Sequence, residues 1–100
     1  MICTISRGEI LFGLNRLAQG KRRIELEAKA QKLFAAFPCE PIPPGAADHY
    51  AGLKVTQQSR GLSLDENDLW IAATALAIGA TLVTRDTDFK RIETLVVLAP

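Results

Sequence analysis

Apolar positions recur along this chain in helix-spaced stripes separated by short β-prone runs. Residues 2–5 form such a run and read as a strand or its end. Ser6 then reads as a helix N-cap, with Glu9 three residues on as its capping-box partner. The helix that follows carries Ile10, Leu11, Leu14, Leu17 and Ala18 on one face, and Gly20 ends it. A second helix spans about residues 21–36, with Leu26, Ala30, Leu33, Phe34 and Phe37 as its stripe, and Pro38 stops it. Residues 39–42 are a strand candidate hemmed by Pro41, Pro43 and Pro44, which suits an edge or a strand end. Pro44 fits the first turn of a third helix that turns Ala46, Ala47, Tyr50 and Leu53 inward and ends near Gly61. A loop containing Ser63 and Leu64 leads to Asp65, the cap of a fourth helix over 66–78 that Gly79 terminates. That helix is apolar nearly all round, which predicts burial on most sides. Residues 80–83 read as a short buried strand, 84–89 as a polar turn or short helix start, and 95–98 as a last strand. Helices alternating with short apolar strands predict an α/β domain with a mainly parallel sheet. In such sheets ligands bind beyond the carboxyl ends of the strands.

Composition narrows the possibilities. With 100 residues the chain makes one domain, 48% hydrophobic and 23% charged, which excludes a disordered tail. Its longest mainly apolar run, residues 69–84, is short of the roughly 20 residues a membrane span needs. The first ten residues lack the basic and apolar regions of a secretory signal. Cys3 and Cys39 form neither a disulfide framework nor a zinc pattern, which points to a cytoplasmic protein with free thiols. Residues 1–36 hold seven Lys or Arg against three acids, and residues 37–100 hold five against eight. The first part suits phosphate and the second suits a cation, although runs such as Lys21-Arg22-Arg23 also serve as solvated helix starts.

The candidate chemistry lies in acids placed near strand ends. Glu9 follows the first strand, Asp68 lies in the first turn of the buried helix, and Asp86 and Asp88 follow the strand at 80–83. If the strands are parallel, Glu9 and Asp86 sit at one edge of the sheet. Converging carboxylates repel one another, and a divalent cation relieves the repulsion. Oxygen ligands favour magnesium or manganese over zinc, and such a metal activates water and steadies a phosphodiester. Local capping explains the same acids: Glu9 with Ser6, Asp68 with Asp65, and Asp86 at the start of a short helix. His49 stands alone and reads as a surface residue, and Trp70, Tyr50 and Phe12 read as core. No phosphate-binding glycine loop, dinucleotide fingerprint or serine nucleophile elbow is present.

Two segments carry a family likeness. Asn67-Asp68-Leu69-Trp70-Ile71-Ala72-Ala73, followed by Gly79-Ala80-Thr81-Leu82-Val83-Thr84-Arg85-Asp86-Thr87-Asp88-Phe89, resembles the C-terminal half of a PIN domain, most closely the VapC toxins of bacterial toxin–antitoxin systems. Ile5-Ser6-Arg7-Gly8-Glu9-Ile10-Leu11-Phe12-Gly13 is similar to that family's second strand and following helix. The resemblance covers residues 2–98 and is weaker over 20–60. It implies a PIN-like three-layer α/β sandwich with a mainly parallel sheet, in one domain over residues 1–100. The family's first strand and helix, with a D-T-N or D-T-S triplet, have no counterpart in the chain, so the resemblance implies an N-terminally truncated domain.

By the same resemblance, Glu9, Asp68 and Asp86 match acidic catalytic positions and, with Asp88, the ligands of Mg2+ or Mn2+. Thr84 matches a polar residue beside the site, suited to bond phosphate or to orient water. Arg7, Arg16 and the 21–23 cluster are further basic residues suited to an RNA backbone. The implied function is an Mg2+-dependent endoribonuclease toxin acting on RNA such as tRNA, silenced by a VapB-type antitoxin and forming a homodimer. The alternative is an impaired or inactive PIN-domain remnant that acts only as a protein-interaction module.

Overall fold

A computed structural model describes residues 2–62 and 64–100; Met1 and Ser63, the latter in the expected loop before Asp65, lie outside the described residues. The chain divides into two compact units, Met1–Pro41 and Ile42–Pro100.

In the first unit, β1 (Ile2–Cys3) leads directly into α1 (Thr4–Asn15), followed by α2 (Lys21–Ala36) and β2 (Cys39–Glu40). β1 and β2 run parallel, with Ile2 opposite Cys39 and Cys3 opposite Glu40. The Ile2 amide donates to the Pro38 carbonyl at 3.0 Å, and the Thr4 hydroxyl donates to the Glu40 carbonyl at 2.9 Å. That second bond ties the first helical residue to β2, so the helix opens at Thr4 and the expected capping box is not formed. Ser6 lies inside α1, whose N-cap residue is Cys3, with no side-chain cap bond. The helix also ends earlier than expected, at Asn15, because the chain turns through Leu17 on the way to Gly20. Gly20 has φ 154° and ψ −175°, a region open essentially to glycine alone. The second helix keeps its expected bounds. Among the described residues of this unit, Ala30 alone is buried, and Phe12, expected in the core, is exposed. Ile10, Leu14, Leu17, Leu26 and Leu33 line an open groove of about 450 Å³ between α1 and α2. The Arg7 guanidinium lies 4.2 Å from the centre of the Phe34 ring, a contact between cation and π face.

The second unit holds α3 (Gly45–Ser59), α4 (Glu66–Ala77), β3 (Leu82–Val83), a 3₁₀ turn (Thr87–Arg91) and β4 (Val97–Leu98). Its core is α4: Leu69, Ile71, Ala72, Ala73, Thr74 and Ala75 are all buried, as the apolar helix predicts. Ala46 from α3 and Phe89, Ile92 and Leu95 from the C-terminal segment complete that core. Asp65 caps the helix by accepting from the Asn67 amide at 3.2 Å. Gly79, at φ 66°, reverses the chain at the other end. The Ala80 amide reaches back to the Ala75 carbonyl and the Gly79 amide to that of Leu76, a Schellman closure that satisfies two terminal carbonyls.

β3 and β4 are parallel, with Leu82 opposite Val97 and Val83 opposite Leu98. Among the described residues the expected parallel sheet thus takes the form of two two-stranded sheets, one in each unit. The strand expected to be buried over 80–83 shortens to two residues, with Val83 59% exposed. The Leu82 and Thr84 amides donate towards β4, so the Val83 backbone faces the other, unpaired edge. Leu95 belongs to the core ahead of β4 and not to the strand itself. Among the described residues, no helix is long and apolar enough to cross a membrane.

Candidate functional site

Three of the four expected acids belong to the second unit. Asp68 is the third residue of α4, half-buried, immediately before the apolar stretch that begins at Leu69. Its placement follows from the cap: Asp65 fixes where the helix starts, and the start fixes where Asp68 stands. Acids at this end also meet the positive pole of the helix.

Thr84, Asp86 and Asp88 follow β3 as a run of side chain–backbone turns. The Asp86 amide donates to the Thr84 hydroxyl oxygen at 3.1 Å, and the Asp88 amide donates to Asp86 Oδ1 at 2.9 Å. Asp86 thereby caps the 3₁₀ turn, the local role its sequence position allows. Asp88 Oδ1 lies 3.4 Å from Arg91 Nη2. The segment thus leaves the carboxyl end of a parallel strand, where α/β sheets place ligand sites, with the Asp86 carboxylate held by backbone and the Asp88 carboxylate paired with Arg91. Glu9 belongs to the first unit, exposed on α1.

The donor chemistry suits a hard divalent cation. Asp68, Asp86 and Asp88 offer carboxylate oxygens, and the Asp86 capping bond engages Oδ1 and leaves Oδ2. Among the described residues, no group of three His, Cys, Asp or Glu side chains is gathered for a metal. Magnesium is commonly held by one or two carboxylates, with water and substrate phosphate completing the shell. The residues therefore fit Mg2+ or Mn2+ in donor type.

A further cluster was not foreseen from the sequence. The rings of Tyr50 on α3 and Trp70 on α4 stack, with centroids 4.0 Å apart and planes 5° from parallel. The Tyr50 hydroxyl donates to Glu66 Oε2, Lys54 Nζ donates to Glu66 Oε1 at 2.7 Å, and Lys54 Nζ also donates to the Tyr50 oxygen at 3.2 Å. Hydrogen bonds from Lys54 and then Tyr50 hold the Glu66 carboxyl below its ordinary range. The bonds to Glu66 and Tyr50 raise the Lys54 ammonium. The only trace of this cluster in the sequence is a pair of four-residue spacings, Tyr50 to Lys54 and Glu66 to Trp70, which put each pair on one helix face. Trp70 and Tyr50, expected in the core, are half-buried through this stack.

The PIN domain family model matches residues 1–95. The chain belongs to the PIN domain family. It is 34% identical over 85 residues to ribonuclease VapC1 of Haemophilus influenzae (strain R2866), a match covering 84% of this chain and 59% of that protein. It is 28% identical over 96 residues to ribonuclease VapC2 of Rickettsia felis, covering 95% of this chain and 69% of the relative. The crystal structure of VapBC2 from Rickettsia felis bound to a DNA fragment from their promoter superposes with a TM-score of 0.88 at 27% identity, covering 99% of this chain and 73% of that one. This PIN chain thus spans 59% of the length of the Haemophilus relative.

Proposed function

We propose that this PIN chain is a metal-dependent endoribonuclease of the VapC type, the toxin of a toxin–antitoxin pair. The observation that carries the reading is the continuous match to the PIN family across residues 1–95, together with the 34% identity to a VapC ribonuclease. Glu9, Asp68, Asp86 and Asp88 are the residues proposed to hold Mg2+ or Mn2+. The cation, when bound, polarises the phosphodiester and acidifies the attacking water.

The chain's own residues do the rest. Asp86, fixed through Oδ1 by the Asp88 amide, presents its second oxygen in one orientation. The Thr84 hydroxyl accepts from the Asp86 amide and keeps its own proton to donate to a phosphate oxygen. One of the carboxylates accepts the water's proton. Arg7, Arg16 and the residues at 21–23 supply positive charge for the RNA backbone, with tRNA as the proposed substrate class.

The proposed partners are a VapB-type antitoxin and a second copy of the chain, in the cytoplasm. The VapBC complex among the similar structures supports the antitoxin. Exposed Phe12 and Ile24 support self-association. A second reading, an interaction module with impaired catalysis, is favoured by the open α1–α2 groove and by the absence of three gathered ligands among the described residues.

The deciding assay is cleavage of pooled tRNA in Mg2+. The ribonuclease reading expects cleavage that EDTA stops and that Asp68→Asn reduces by at least about 10²-fold, the scale of a misplaced reacting group. A purified chain that cuts no RNA but still binds an antitoxin peptide overturns it in favour of the interaction module.

A further inference from the structure

The cluster of Tyr50, Lys54, Glu66 and Trp70 has no part in the capping of α4 and adds little to its buried core. It joins α3 to the first two turns of α4 at three points. The Tyr50 ring lies flat on Trp70, the Tyr50 hydroxyl donates to Glu66, and the Lys54 ammonium donates to the same carboxylate at 2.7 Å. Glu66 and Trp70 are one turn apart, and Asp68 lies between them in sequence. A helix held only by its buried face can still rotate slightly or fray in its first turn, where the amides lack helical partners. Contacts at Glu66 and Trp70, on either side of Asp68 in sequence, oppose that freedom.

We infer that Tyr50, Lys54 and Glu66 form a clamp that positions the first turn of α4, and through it the Asp68 carboxylate, for a divalent cation. The inference rests on the proposed role of Asp68 as a ligand and adds three positioning residues that do not themselves touch the metal. Supporting partners of this kind act by fixing a ligand's orientation before binding.

Charge makes the test decisive. Lys54 is a cation bonded to Glu66, two residues before Asp68 in sequence, so removing its positive charge by itself can only favour Mn2+. Loss of the clamp weakens Mn2+ binding, the opposite sign. Mn2+ binding to the full 100-residue chain is measured by titration calorimetry and by the electron paramagnetic resonance of free Mn2+, with folding checked by circular dichroism. Lys54→Met is expected to weaken binding about tenfold, at the low end of what supporting partners of metal ligands contribute.

Tyr50→Phe, which keeps the ring stack and the charge and loses only the hydroxyl, is expected to weaken binding less, in the same direction. Lys54→Arg, which keeps the charge and the donors, is expected to restore most of the affinity. If Lys54→Met does not fold, Tyr50→Phe alone carries the test. Binding as tight as wild type or tighter in Lys54→Met, or unchanged in a lone Tyr50→Phe test, while Asp68→Asn binds weakly, overturns the clamp and leaves the metal reading standing. Binding unchanged by Asp68→Asn, or absent in the wild-type chain, overturns the metal reading and the clamp with it.

Discussion

The two units of this chain are built from similar parts to different effect. Each has two helices and a two-residue parallel ladder. The second wraps its elements around α4, where six consecutive or near-consecutive residues are buried. In the first, two amphipathic helices leave their leucines lining an open groove, and Ala30 is the one buried residue among those described. The difference lies in the helices themselves. Beyond its first turn α4 is apolar nearly all round and is satisfied only by neighbours on most sides, whereas α1 and α2 turn one apolar stripe each to the groove and are mostly exposed elsewhere. Stability should therefore reside in the second unit, and with it the precision of Asp68, Asp86 and Asp88.

Core truncations probe this contrast most strongly. Leu69→Ala removes a 97%-buried side chain and is expected to cost about 2–5 kcal/mol, the usual range for a cavity in a packed core. Phe12→Ala removes a larger side chain that is 62% exposed, and its expected cost is below about 1 kcal/mol. Urea unfolding read by Trp70 fluorescence and by circular dichroism gives both values. Equal costs at the two sites break the comparison, because they show the α1 stripe to be packed as firmly as α4.

The acids offer a second contrast. In RNA cleavage and Mn2+ binding, Asp68→Asn should cost at least about 10²-fold in activity, since its carboxylate stands on the rigid element. Glu9→Gln, on a helix with no buried residue among those described, is expected to lower activity with a smaller effect on Mn2+ affinity measured without RNA. A larger loss of Mn2+ affinity at Glu9 than at Asp68 reverses the assignment of rigidity.

Backbone closure gives a third, smaller effect. Gly79→Ala forces a Cβ into the left-handed conformation at φ 66° and is expected to destabilise the second unit by about 1 kcal/mol. Its Cβ meets nothing within 4 Å, so the whole cost is conformational. Gly79→Asn, which tolerates that region better, should recover part of it. Thermal melts of the two variants separate a conformational cost from a packing cost.

What was legible in the sequence divides by range, signals within one turn being readable and contacts between distant residues not. α2, α3 and α4 begin and end where Pro38, Pro44, Asp65 and Gly79 said they should, because each signal acts within its own turn. The Asp86 cap of the 3₁₀ turn was readable for the same reason. The start of α1 was not. Ser6 and Glu9 make a valid capping box in isolation, but a bond from Thr4 to Glu40, thirty-six residues away, draws the helix start back to Thr4. Trp70 was placed in the core from its apolar neighbours, yet its ring meets Tyr50 across the α3–α4 contact and stays half exposed. The Tyr50, Lys54 and Glu66 cluster joins residues 12–16 apart on different helices, a distance at which periodicity carries no information. Asp68 was readable in the first turn of the buried helix and stands there, whereas Glu9, expected just past the first strand, lies well inside α1; a residue's type does not state which acids come together.

The smallest expected effect concerns pH, and it tests whether the α3–α4 contact holds the second unit as firmly as its geometry suggests. Bonds from Lys54 and Tyr50 hold the folded Glu66 carboxyl below its ordinary value of 4.5. A depressed folded pKa contributes stability above the unfolded value, and that contribution is lost as pH falls through the folded one. Lys54 is raised above 10.5, so its contribution is complete below that value and fades as pH climbs through the higher folded pKa. Between these limits both charges are present and the contact is at full strength. Wild type should therefore melt slightly above Glu66→Gln at pH 7, and the gap should close as pH is lowered from about 4.5 towards the folded pKa. The gap should be small, because both groups lie at the surface, where water and salt screen the pair. Raising the salt concentration at pH 7 should narrow it further. A gap that persists unchanged at pH 3 and in high salt indicates that Glu66 acts through its hydrogen-bond geometry and not its charge, which moves the hold on α4 from electrostatics to the Tyr50 hydroxyl and the ring stack.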